Sequence, residues 1–271
     1  MFGNWKYIFK NLWFVLPFAI VPGIFLALSL DLDAVTSYIH ALFSGNPRVG
    51  FIEMFQTLSI IRVDGWLGVL FGICTVLSIV LFMSIMLALV EKHMRIGKRT
   101  FSGAFSHLGE LLLKTLIVTF VYFVMYELWA LIVSALFFVI NSAHAVVLVY
   151  ILDALVFLAS TLVLLYVVTS FYLWFPCMQI TGFRPFSAFV YAYRLVLKVR
   201  WKLVFALAIS YSVALLVLFG ASFLPVYVFR IIAFIVQTLL FLGFCVRMET
   251  AYFYTDKIDR EDYIRSYREL L

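Results

Sequence analysis

One carboxylate, Glu127, stands near the middle of the otherwise uncharged run 115–140. No shift of the helix ends brings it to water, and a bare charge at that depth costs about 2.5–3.5 kcal/mol on insertion scales. Two chemistries follow from an acid in that setting. It is either a proton, ion or head-group site inside a helix bundle, or a structural acid held by tyrosine or arginine. Tyr122 and Tyr126 are close in sequence, and Arg230 is the expected ionic partner. The run 231–246, between Arg230 and Arg247, has 16 residues. As a helix it covers about 24 Å, short of a hydrocarbon core of about 30 Å. A helix beginning near Pro225 would put Arg230 inside the outer leaflet, either aimed inward at an acid or snorkelling outward. Asp153 is the third candidate. The run 154–175 already supplies about 33 Å of helix, so Asp153 either sits at the outer interface or completes a site with Glu127 and Arg230.

Other reactive residue types are present without the spacing that chemistry needs. There is no HExxH, GxSxG, P-loop or GxGxxG pattern, and His40, His93, His107 and His144 are dispersed. The three cysteines, Cys74, Cys177 and Cys245, show no CxxC spacing for a zinc site or a disulfide framework. Asp256, Asp259, Glu261 and Asp262 read as a solvated, charged tail. The expectation is a non-enzymatic protein with no metal and no cofactor.

The elements that carry these residues are six long apolar runs in a chain of 271 residues that is 66% hydrophobic. A soluble core of this size could not hide so much apolar surface. Continuous runs, rather than alternation, predict helices and not a β-barrel. The fold class is an all-α integral membrane protein, with spans about 12–30, 66–90, 113–140, 145–176, 202–222 and 225–250. An amphipathic connection covers 31–65 and a charged tail 251–271. The first run is long and contains Pro17 and Pro22, so it reads as a retained span and not a cleaved signal.

The net charge of +6 is unevenly placed. Lys92, Arg95, Lys98, Arg99 and Lys114 fall in 91–114, and Arg184, Arg194, Lys198, Arg200 and Lys202 in 177–202. Segment 31–65 carries Asp31, Asp33, Glu53 and Asp64 against Arg48 and Arg62. The positive-inside rule puts the two basic segments and both termini in the cytoplasm. Arg99, Arg194 and Lys198 are then expected to meet anionic lipid head groups, not nucleic acid.

Phe101-Ser102-Gly103-Ala104-Phe105 and Phe186-Ser187-Ala188-Phe189 each open an amphipathic stretch ahead of a helical hairpin, and Trp5-Lys6-Tyr7 echoes the later part of that unit. Three parallel hairpin repeats, or convergence on one kind of basic entry, account equally for the pattern. In 31–65, Val35, Tyr38, Ile39, Leu42 and Phe43 recur at helical spacing before Gly45-Asn46-Pro47, and Phe51, Phe55 and Leu58 follow. This predicts one or two short helices lying on the outer face or capping the bundle. Gly68 and Gly72, and the stripe Ala206, Ser210 and Ala214, permit close packing within the bundle.

Phe175-Pro176, Phe186-Ser187-Ala188-Phe189, Tyr193-Arg194-Leu195-Val196-Leu197, Trp201-Lys202 and Ala251-Tyr252-Phe253-Tyr254 carry a resemblance. The layout is similar to bacterial six-helix membrane families: the YesL-like proteins, the DUF975-type proteins and the membrane domain found beside glycerophosphodiester phosphodiesterases. That resemblance implies a bacterial cytoplasmic (inner) membrane protein. It transfers no functional residue and no phosphodiesterase activity. The functional expectation is an accessory or permease-like component of a transport or envelope system, with a protein partner in a membrane complex. The alternatives are a six-helix permease subunit of an ABC-type exporter served by a separate ATPase, and a lipid-acting membrane enzyme.

Overall fold

The computed structural model describes residues 3–43, 50–62, 65–99, 101, 108–141 and 146–262. In chain order the helices are α1 (Gly3–Lys10), α2 (Leu12–Ser29), α3 (Leu32–Phe43), α4 (Phe51–Leu58), α5 (Trp66–Ile96), α6 (Leu108–Ile140), α7 (Val146–Phe171), α8 (Trp174–Thr181), α9 (Pro185–Leu197), α10 (Arg200–Ala221) and α11 (Val226–Thr255). No strand occurs among the described residues. Six segments are long and apolar enough to cross a bilayer: α2, α5, α6, α7 with α8, α10 and α11. The chain is a multi-pass, all-α membrane protein.

Local chemistry sets where these helices start and stop. Asp31 caps α3 by accepting the Ala34 N–H at 3.0 Å and pairs with Arg62 at 3.4 Å, which ties together the two ends of the connection between α2 and α5. Gly97 and Gly182 close α5 and α8 in the left-handed conformation, at φ 71° and 69°, where a side chain would be strained. The span expected over 145–176 is broken at Tyr172 and Leu173. Pro176 has no N–H for the Tyr172 carbonyl and its ring clashes there, so α7 must end and α8 begin on a new axis. Lys114 then reaches across from α6 and donates to the Met178 carbonyl in the last turn of α8, at 3.2 Å.

The α1–α2, α5–α6 and α9–α10 junctions lie at one end of the bundle, called here the basic end, and α3 and α4 at the far end. The main core is packed toward the basic end, where Met86, Leu87, Leu89 and Val90 of α5 meet Tyr172 and Phe175 and the α11 residues Leu242, Cys245 and Val246. A helix apolar on all sides can be buried all round, and α5 is buried on consecutive residues from Met83 to Glu91. By contrast α7 and α10 keep Leu155, Leu158, Phe205 and Leu216 exposed, the pattern of helices facing lipid. On α9, Ala188, Ala192, Leu195 and Val196 are buried while Phe186, Leu197, Arg194 and Lys198 are exposed. The matching stretch over 102–107, and with it one copy of the expected repeat, lies outside the described residues, as does the turn at Gly45-Asn46-Pro47.

Candidate functional site

The far-end polar layer is built on α4. Met54 is buried against Trp129, Ala130, Val133 and Phe137, so α4 runs down the side of α6 and does not lie flat on the outer face. It stops at Ser59. There Glu127 takes two hydrogen bonds: Ser59 Oγ donates at 2.7 Å and the Ile60 N–H at 2.9 Å. Tyr126 donates its hydroxyl to the Leu58 carbonyl at 2.8 Å. Glu127 is thirteen residues before Ile140, so this turn sits about 20 Å along α6 from its far end. Irregular backbone at that depth is tolerated only where protein satisfies it. Glu127 and Tyr126 supply those partners. Gly72 supplies the room, since a Cβ there would lie 2.9 Å from the Ile60 carbonyl oxygen and from Ile61 Cγ1.

Arg230 is not the partner of Glu127. It is exposed on the first turns of α11 and makes no ion pair among the described residues. Its long side chain lets the guanidinium stay at the surface, the outward of the two expected arrangements. Asp153 is only 4% exposed, and among the described residues no group donates to either of its oxygens. It faces Tyr38 on α3, whose phenol is pushed above its usual range by burial and by the Asp153 charge. Glu127, Arg230 and Asp153 therefore form no single cluster.

At the basic end, Arg99 is bound to protein. Its Nε donates to Asn11 Oδ1 at 2.8 Å and its Nη2 to the Lys10 carbonyl at 3.2 Å. The polar groups buried here are ones that the sequence reading passed over. Glu249 on α11 is fully buried, with no donor to either carboxyl oxygen among the described residues. Glu91 on α5, 7% exposed, acts on it electrostatically and is itself paired with Arg95 at 3.1 Å. Tyr7 and His93 share a hydrogen bond of 2.8 Å beside them. Burial, and then the charge of Asp262, push the Tyr7 phenol up. Arg247, 5% exposed, points the other way and donates from Nη2 to Ser210 Oγ at 2.7 Å.

No protein family, curated protein or solved structure matches this chain. What the arrangement can do therefore rests on its own chemistry. Glu127 is consumed by structure, since both oxygens hold the re-entrant turn. Glu249 is a buried carboxyl beside a second acid with no donor assigned to it, a setting that favours exchange of a proton or capture of a cation.

Proposed function

We propose that the protein is a non-enzymatic, permease-like component of a bacterial cytoplasmic membrane, with the basic end and both termini inside. In this reading Glu249, with Glu91 beside it, binds a proton or small cation during the working cycle. The observation that carries it is the fully buried Glu249 carboxyl without a donor. An acid in a bundle interior that serves only packing is normally paired or hydrogen-bonded, as Glu127 is here. The clustering of Lys and Arg in 91–114 and 177–202 supports the orientation, and the resemblance to six-helix bacterial families supports the location.

The test needs no known substrate. Liposomes holding the full chain are adsorbed on a solid-supported membrane and stepped in pH. Wild type and Glu127→Gln are expected to give a transient charge displacement that Glu249→Gln lacks. A Glu249→Gln protein that is folded and displaces as much charge as wild type would refute the proposal.

A further inference from the structure

An apolar groove of about 760 Å³ opens sideways between α10 and α11, with Val213, Val217, Ile235 and Leu239 among its exposed lining residues and Arg247 at one end. From Ile232 to Arg247 it follows about 22 Å of α11, the length of a lipid acyl chain. A second cavity of about 430 Å³ begins on the other side of the same arginine. Its lining includes Asn4, Lys257, Asp259 and Arg260. Arg247 is therefore shared by a greasy slot and a chamber of mixed apolar and charged lining.

Two buried donors at this joint lack an acceptor of matching charge. Arg247 has only the Ser210 hydroxyl, and no acid pairs with it among the described residues. The Asn4 side-chain nitrogen, on a residue 2% exposed, has no hydrogen-bond partner among the described residues. A buried guanidinium without a carboxylate is a costly arrangement unless an anion completes it, and guanidinium is well matched to phosphate oxygens. The slot excludes a free anion as the sole occupant, because an anion gains nothing from its apolar length.

We propose that this groove is a binding site for an anionic glycerophospholipid, with one acyl chain along α11 and the phosphate held by Arg247 and Asn4. The site is separate from Glu249 and stands whether or not Glu249 binds protons. Lys257, which lines the same chamber, biases it toward a head group with net negative charge over a zwitterionic one; Arg260 is already paired with Asp262 at 2.7 Å.

The test is native mass spectrometry of the delipidated full chain with phosphatidylglycerol and with phosphatidylcholine carrying the same acyl chains. Wild type should prefer phosphatidylglycerol by about fivefold, as one basic residue beside an anionic head group implies. Lys257→Gln should reduce that preference to near unity. Arg247→Gln loses a contact to the phosphate common to both lipids and should weaken both by about tenfold, and Arg247→Lys should keep part of the binding. Val213→Trp, which fills the slot and leaves the charge, should weaken both lipids. The assignment is overturned by undiminished binding in Arg247→Gln, by an unchanged preference in Lys257→Gln, or by full binding in Val213→Trp. It is equally overturned if inorganic phosphate competes as well as the lipid, or if a photocrosslinker at Val213 in native membranes captures a polypeptide and not lipid.

Discussion

Glu127 and Glu249 are both carboxylates inside one helix bundle, and their surroundings differ in kind. Glu127 accepts a serine hydroxyl and a backbone N–H, and its neighbour Tyr126 serves a carbonyl of the same turn. Glu249 is more deeply buried and has no donor. A hydrogen-bonded buried acid fixes structure. A buried acid without donors costs the fold and keeps its chemistry available. The position most conspicuous in the sequence thus does structural work, and the less conspicuous one carries the functional proposal.

The largest effect expected on the Glu127 side comes from its steric support. Gly72→Val would force a branched side chain into the Ile60 and Ile61 backbone, with contacts at 2.9 to 3.0 Å already at Cβ. A loss of about 1–3 kcal/mol or more is expected, read as a lowered melting midpoint in detergent. Gly220→Ala, where nothing lies within 4 Å, should stay within about 0.5 kcal/mol of wild type. Equal midpoints for the two variants would remove the re-entrant turn as a tightly packed element.

The hydrogen bonds come next. Ser59→Ala should cost about 1 kcal/mol. Combined with Glu127→Gln it should cost less than the sum of the single changes, with a coupling of about 0.5–3 kcal/mol. Strict additivity would separate Ser59 from Glu127.

A smaller effect sharpens the basic-end side. Tyr191 on α9 donates to Asp256 Oδ1 at 2.6 Å, and this bond, with burial second, pushes its phenol up to about 12. The folded state therefore favours the protonated phenol. Its contribution should be complete below the ordinary tyrosine value of about 10 and be lost as pH rises through about 12. Tyr191→Phe should lower the midpoint by less than about 1 kcal/mol, by the same amount at every pH below that range. A penalty already lost at neutral pH would contradict the raised phenol.

The six spans were legible in the sequence because lipid demands unbroken apolar helices. Glu127 was legible as a lone charge. Its partners were not, because an α4 stripe of Phe51, Phe55 and Leu58 reads the same whether the helix lies on a membrane or packs down α6, and because one partner is a backbone N–H. Asp153 was legible as a candidate acid; its burial and its approach to Tyr38 depend on where α3 packs, which the chain order does not give. Glu249 was missed because, two residues after Arg247 and at the end of the span expected over 225–250, it read as part of the charged inner end. The signal was present in the apolar residues Met248, Ala251, Tyr252 and Phe253 beyond Arg247, all of them buried, which continue α11 to Thr255.

The contrast between the two acids is tested most directly by the melting midpoints of Glu127→Gln and Glu249→Gln, measured in one detergent beside wild type. An amide at 127 keeps an acceptor for the Ile60 N–H but replaces charge-assisted bonds with weaker neutral ones, so its midpoint should fall, by about 1 kcal/mol. An amide at 249 removes no hydrogen bond, so its midpoint should match or exceed that of wild type. A lower midpoint for Glu249→Gln with an unchanged one for Glu127→Gln would contradict the assignment of structure to Glu127 and chemistry to Glu249.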